Sequence, residues 1–347
     1  MFNPKYLISN RLLANIKRIS TISFELNHNH FPDVVLVDFE KNAMAVSSYA
    51  STSIEGNPLP LTEVKKILKS KPAVLRDSET EVINYNLALK HLNGQIGRGE
   101  LTLSLKLILD IHRQVMKGLL PSNQVGKLRQ QPVVVNDPRT GNIVYLPPDV
   151  KDVKLLVQEL IAYTHENRGT TDPLILAGIF HKQMVLIHPF MDGNGRTTRL
   201  ATKVLLAQMG LNTFNLFSFE NYYNKNVTRY FQHVGAFGNY YDIADSIEFT
   251  AWLEYFTEGI IDELLRVQKL LDQAEISPEA RLKPYHEKIL DFIRQTGLIT
   301  DRDYSKITER AKATRSLDFQ KLISMGLIIK RGKGRATYYV INKDNIN

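Results

Sequence analysis

The 347-residue chain has no cysteine and a single tryptophan. Without thiols there is no disulfide framework, no thiolate metal site and no cysteine nucleophile. No stretch of 18 or more apolar residues occurs, so no transmembrane helix is expected and no membrane partner. Residues 1–20 lack an apolar core followed by small residues, so no signal peptide is expected. These absences leave a cytoplasmic address as the expectation. Internal repeats and low-complexity tracts are also missing. The apolar fraction of 43% is ordinary for a globular protein, and the length suffices for two or three domains.

Net charge is missing from most of the chain. Residues 1–280 carry 29 basic and 29 acidic side chains, whereas residues 281–347 carry 15 and 7, so the last 67 residues hold the whole excess of +8. A basic C-terminal appendage points to an anionic partner, nucleic acid first.

Most of the chain has helical periodicity, and the fold is expected to be mainly α. Helices are predicted over 7–26, 37–53, from Thr62, and over 79–92, 105–116, 150–167, 173–187, 200–209 and 247–273. One segment departs from this pattern. Val133, Val134 and Val135, then Ile143, Val144 and Tyr145, are β-prone triplets around a turn-rich loop, which reads as a β-hairpin. A linker is expected around 274–282. After it come helices over 284–295, 301–307 and 313–325, and two β-prone runs, 327–329 and 337–341, separated by a basic glycine-rich turn.

The most informative segment is His188-Pro189-Phe190-Met191-Asp192-Gly193-Asn194-Gly195-Arg196-Thr197-Thr198-Arg199. It lies between two helical runs, so a loop feeds a helix N-terminus, where unpaired N–H groups and the helix dipole favour an anion. Gly193 and Gly195 let a phosphate approach the backbone closely, and Asn194 tolerates left-handed geometry. Arg196 and Arg199 lie one turn apart and suit polyphosphate oxygens. Asp192 is a hard oxygen ligand of the kind that holds Mg2+ beside phosphates. His188 can take a proton near neutral pH.

HPFMDGNGRTTR resembles the Fic motif, HPFx(D/E)GNGRxxR, at every fixed position. The resemblance implies a Fic helical core whose members mostly transfer AMP from Mg-ATP to a Ser, Thr or Tyr hydroxyl of a target protein or of themselves. It makes His188 the base and Asp192 the Mg2+ ligand. Gly193, Asn194 and Gly195 become the phosphate cradle, with Arg196 toward the β-phosphate and Arg199 toward the γ-phosphate. The hairpin resembles the flap that aligns the target as an added strand. Tyr230 and Asn239 resemble the adenine-site residues, with Tyr222-Tyr223 as a competing pair.

Upstream, Ser51-Thr52-Ser53-Ile54-Glu55-Gly56 resembles the family's inhibitory motif, (S/T)xxxE(G/N), placed on an N-terminal helix over about 37–56. That resemblance implies that Glu55 pairs with Arg199, with Ser51 supporting the helix. The expected organisation is an N-terminal region 1–100, a catalytic core 101–273 and a C-terminal domain 281–347. The C-terminal element order resembles a winged helix-turn-helix, which implies DNA contacts from Arg315 and from Lys330, Arg331, Lys333 and Arg335. Three functions stay open on these grounds: AMP transfer, AMP removal using Glu55, and DNA-binding regulation with a nucleotide-sensing core. A homodimer is also left open.

Overall fold

In a computed structural model, described for residues 2–28, 33–70, 72, 74–99, 101–137, 140–208, 210–276 and 282–342, the chain packs as two compact units. One comprises Met1–Asn27 with Ala43–Arg266, the other His28–Asn42 with Val267–Asn347. Among the described residues no helix is long and apolar enough to cross a membrane.

In chain order the helices are α1 (Asn10–His28), α2 (Asp33–Ile54), α3 (Leu61–Ser70), α4 (Asp77–Gly97) and α5 (Leu105–Val115). After strands β1 (Val135–Asn136) and β2 (Ile143–Leu146) follow α6 (Val150–Glu166), α7 (Pro173–Ile187) and α8 (Asn194–Ala207). Then come α9 (Glu220–Lys225), α10 (Val227–Val234), β3 (Gly238–Asn239), α11 (Tyr240–Ile243) and α12 (Thr250–Ile276). The chain ends with α13 (Pro284–Thr296), α14 (Asp301–Ile307), α15 (Lys312–Ser324), β4 (Ile328–Arg331) and β5 (Tyr338–Ile341). The predicted 7–26 helix starts later because the Ser9 hydroxyl accepts from Leu12 N–H and Leu7 N–H is taken by Thr250. The 274–282 linker falls largely outside the described residues, helix α12 running to Ile276.

The first unit is built around α7. Asp172 caps it, Pro173 occupies its first turn, and almost every side chain from Leu174 to Ile187 is buried. Gly178 permits this burial: a Cβ there would stand 2.5 Å from Leu253 Cδ2, and the Gly178 carbonyl accepts from Trp252 Nε1 at 2.8 Å. Helix α7 is thereby locked against α12, and its C-terminus delivers a rigid His188. Helix α8 returns alongside it with Leu200, Ala201, Val204 and Leu206 in the core.

The hairpin is present but shorter than predicted. Val135 pairs with Tyr145 and Asn136 with Ile143 in antiparallel register, with an irregularity between them. Val133 and Val134 lie outside the strand, the preceding chain being held by Arg129 instead. A third strand that periodicity missed, β3, joins β2 in parallel through Tyr145–Gly238 and Leu146–Asn239.

In the second unit α13, α14 and α15 precede an antiparallel β4–β5 pair, in the order expected. Its core joins Ile289, Ile293, Phe319, Leu322 and Leu327, with Phe319 stacked on Tyr339 at 4.0 Å. Thr300 and Asp303 form a capping box that starts α14.

Candidate active site

His188 closes α7 in the left-handed region, at φ 50° and ψ 59°, a conformation sparsely populated by residues other than glycine. Its N–H still bonds to Met184 O, so the helix ends in a turn that swings the imidazole out of line. Nδ1 lies 3.3 Å from Val185 O. Nδ1–H therefore donates to the carbonyl and the lone pair sits on Nε2. Burial pushes the imidazole pKa below its ordinary value, so the ring is neutral at pH 7 and ready to accept a proton.

The loop from Pro189 to Gly193 is tied down on all sides. Asn194 Oδ1 accepts from Phe190 N–H at 2.8 Å and its Nδ2 donates to Phe190 O at 2.9 Å. Both ends of the amide are thus spent on shaping the loop, where the sequence suggested that they cradle phosphates. Phe190 is buried and stacks on His112 at 3.9 Å. His112 accepts at Nδ1 from Gly126 N–H and donates from Nε2 to Asp192 O, at 2.9 and 3.0 Å. Arg129, also buried, donates to His188 O at 2.9 Å and to Pro148 O, while its own N–H meets Pro189 O. His112 and Arg129 are functional supports that carry no sequence signature.

Helix α8 begins at Asn194, so Asn194, Gly195 and Arg196 lie in its first turn and Gly193 is its N-cap. Gly193 stands at φ 78°, and a Cβ there would meet Met116 Sδ at 2.6 Å. A Cβ on Gly195 would lie 2.1 Å from Glu55 Oε1 and 2.9 Å from Arg199 Nη1. A carboxylate therefore already sits against the helix start, where the dipole and backbone favour an anion.

Both arginines are buried and paired with carboxylates. Arg199 Nη2 donates to Glu55 Oε1 at 2.7 Å and to Ser51 O at 2.8 Å, and Nε to Ser51 Oγ at 2.8 Å. Arg196 donates to Glu81 Oε1 and, at 2.9 Å, to Asp192 Oδ1. Glu81, on α4, was not anticipated. Four polar atoms on the first two turns of α8 are buried without a partner among the described residues: Arg196 Nε, Thr197 Oγ1, Thr198 Oγ1 and Arg199 Nη1. Orphaned donors of this kind fit the oxygens of a polyphosphate.

Asp192 is more than half exposed, and its Oδ1 also accepts from Gly193 N–H at 2.5 Å. No cluster of three metal-ligating side chains occurs among the described residues. One exposed carboxylate at a helix start that favours anions matches the hard-oxygen donor set of Mg2+, which takes its other ligands from phosphates and water.

The remaining predicted site residues are placed as follows. Tyr145 is buried, and its hydroxyl donates to Leu186 O at 2.9 Å, tying the hairpin to the end of α7. Val134 and Ile143 are exposed on the hairpin, Val133, Val135 and Val144 half-buried. Tyr230 is fully buried in an aromatic cluster with Tyr223 and Trp252, and its hydroxyl meets His181 Nε2 at 3.0 Å. It presents no open ring face on which a base could stack. Tyr223, of the competing pair, is buried in the same cluster. Asn239 lies in β3, and its side chain accepts from Tyr241 N–H. In the second unit Arg315 makes a two-point pair with Asp301 at 2.8 and 2.9 Å, so it braces α15 against α14 instead of standing free. Lys330, Arg331 and Lys333 are exposed, whereas the Arg335 side chain lies outside the described residues.

Residues 102–206 match the Fic/DOC family. The chain is 33% identical over 175 residues to a protein adenylyltransferase Fic of Drosophila melanogaster, covering 49% of this chain and 34% of that protein. With the Drosophila erecta protein of the same name the identity is 32% over 185 residues, 52% of this chain and 36% of the relative. The chain thus spans about a third of the length of these curated relatives. Its fold is similar to a Fic family protein from Desulfovibrio desulfuricans, with a TM-score of 0.64 over 99% of both chains at 18% identity. Fic-1 from C. elegans superposes with a TM-score of 0.60 over 76% of this chain and 73% of that one, at 22% identity.

Proposed function

Because residues 102–206 match the Fic/DOC family, we propose that this chain is a protein adenylyltransferase restrained by its own Glu55. The name borne by the Drosophila relatives supports AMP transfer. The observation that carries the reading is the group of orphaned polar atoms on the first two turns of α8, soon after His188 and Asp192.

In this reading ATP lays its phosphates against Gly193–Gly195 N–H groups, Arg196 and Arg199. A hydroxyl oxygen of a target Ser, Thr or Tyr bonds to the α-phosphorus, the bond to the β-phosphate oxygen breaks, and pyrophosphate leaves. His188 Nε2 accepts the hydroxyl proton, its tautomer held by the Val185 carbonyl. Mg2+, bound through Asp192, would supply neutralisation of charge on the phosphates. The chain's own part is mainly in-line placement in a rigid loop. The hairpin presents exposed Val134 and Ile143, and β1 is an outer strand of the β1-β2-β3 sheet, which suits a target segment added as a strand. Mass spectrometry after incubation with Mg-ATP, on the wild type and Glu55→Gly, tests this. AMP adducts on neither protein nor on lysate proteins would overturn it.

The second unit supports a separate DNA-binding role through exposed Lys330, Arg331 and Lys333 on β4 and the turn after it. Affinity for duplex DNA should fall steeply with salt, as phosphate contacts release counterions. Charge reversal at these three positions should weaken binding to all sequences alike. No mobility shift at low salt would exclude the role.

A further inference from the structure

Each arginine of the anion loop is held by a carboxylate from outside that loop, but the two carboxylates are held differently. Glu55 directly follows the last residue of α2, and its side chain is 26% exposed. Glu81 comes from the first turns of α4 and is only 14% exposed, with Arg196 at 5%. Its Oε1 accepts from Arg196 and its Oε2 from Asn57 Nδ2 at 2.6 Å. Asn57 is itself fixed, donating to Ser78 O at 2.9 Å, accepting from Leu59 N–H at 3.1 Å and bonding back to Thr52 O through its own N–H. Neighbouring Val82 and Tyr85 are fully buried and anchor α4. Glu81 is therefore a rigid partner, whereas Asp192, the other carboxylate on Arg196, is largely exposed.

Building on the nucleotide reading above, the geometry points to Glu81 as a positioning residue that keeps Arg196 seated and charge-balanced while Asp192 turns from Arg196 to the metal of an incoming Mg-nucleotide. Asp192 Oδ1 is shared between Arg196 and Gly193 N–H, so binding a cation there competes with the ion pair. With Glu81 in place, Arg196 retains a buried anionic partner when Asp192 lets go. Without that charge, Asp192 becomes the only carboxylate on a buried guanidinium, and turning it to a cation leaves Arg196 with the nucleotide's phosphates alone and no protein anion to hold it in place. Burial raises the Glu81 pKa, and Arg196 beside it favours the charged form that this role requires.

The test is a titration of nucleotide binding by the full chain, with ATP as the probe, across Mg2+ concentrations and in EDTA. Glu81→Gln should raise the half-saturating Mg2+ concentration roughly tenfold, the scale of one charge-assisted hydrogen bond. Binding of metal-free ATP should be unchanged or tighter, because one negative charge leaves the cradle. Glu81→Asp keeps the charge at shorter reach and should fall between the two, and it serves if the Gln variant does not fold. Equal weakening with and without Mg2+ would show that Glu81 merely supports the fold, and an unaltered Mg2+ dependence in both variants would also overturn the assignment. Failure of the wild type to bind ATP at any Mg2+ concentration would instead remove the nucleotide reading on which it stands.

Discussion

Glu55 and Arg199 lie 144 positions apart in the chain and meet at 2.7 Å. The pair is asymmetric: Arg199 has no exposure, whereas Glu55 reaches it from a partly exposed helix end. Ser51, one turn earlier on α2, holds Nε and Nη2 through its hydroxyl and carbonyl. Of the Arg199 guanidinium nitrogens, only Nη1 is left without a partner among the described residues. If Glu55 occupies a place that the nucleotide needs, Glu55→Gly should raise AMP incorporation. Arg199→Ala should be inactive with either residue at position 55, so the double variant should match Arg199→Ala, the non-additivity expected of coupled residues. Measuring incorporation on self and on lysate decides it, and equal rates for Glu55→Gly and wild type would sink the brake.

His188 is held by its position at the end of a buried helix and by Val185 O, and the groups proposed to meet phosphate lie on α8. His188→Ala should therefore lower AMP transfer by ~10²–10⁴ while leaving ATP affinity within a few-fold. Turnover at the wild-type rate would remove the base role, and loss of ATP binding would show that the ring supports the loop instead.

The motif from His188 to Arg199 was legible because its residues are consecutive and each has a distinct chemistry. Glu55 and Ser51 were legible for the same reason, as a short string at a helix end. What holds the motif in place was not. His112 meets Asp192 across 80 positions, Arg129 meets His188 across 59 and Arg196 meets Glu81 across 115. In sequence each is a polar residue in an ordinary helical or loop stretch, and periodicity reports only which face is apolar. Strand β3 escaped because two residues pairing in parallel with β2 leave no alternation to detect. Arg315 and Tyr230 show the opposite failure: the residue types suit phosphate and base contacts, but Asp301 and the aromatic cluster take them up.

Asn194 offers a test of loop shape as distinct from phosphate contact. Asn194→Ala would leave Phe190 N–H and C=O, both buried, without partners. At ~1–3 kcal/mol for each unsatisfied group, the variant should lose about 2 kcal/mol or more in stability. Asn194→Asp keeps the acceptor for Phe190 N–H, and its charge favours a helix N-terminus. It should be the more stable of the two, yet bind ATP worse than Asn194→Ala because its charge opposes the phosphates. Urea unfolding together with ATP titration separates the two effects, and the reverse order of ATP affinities would contradict this account.

His112 gives the site a defined response to acid. Burial lowers its pKa to about 4 from the ordinary 6.5. Its Nδ1 accepts from Gly126 N–H, so protonation there would break that bond and set a charge against Phe190, on which the ring stacks. In the unfolded chain the same imidazole titrates near 6.5. Between those values the unfolded state binds more protons, so this contribution is fully present above pH 6.5 and is lost as pH falls toward 4. At pH 5 the loss should be about 2 kcal/mol. His112→Phe keeps the stacking on Phe190 but has no proton to bind. The variant should be less stable than the wild type at pH 7, because Gly126 N–H and Asp192 O lose their partner, and the gap should narrow by that amount at pH 5. Urea unfolding of both proteins at the two pH values reads the difference directly, since other titrating groups contribute equally to each. A gap that stays constant with pH, or a His112 ring resonance that titrates near 6.5 in the folded protein, would show that the imidazole is not held neutral by the loop.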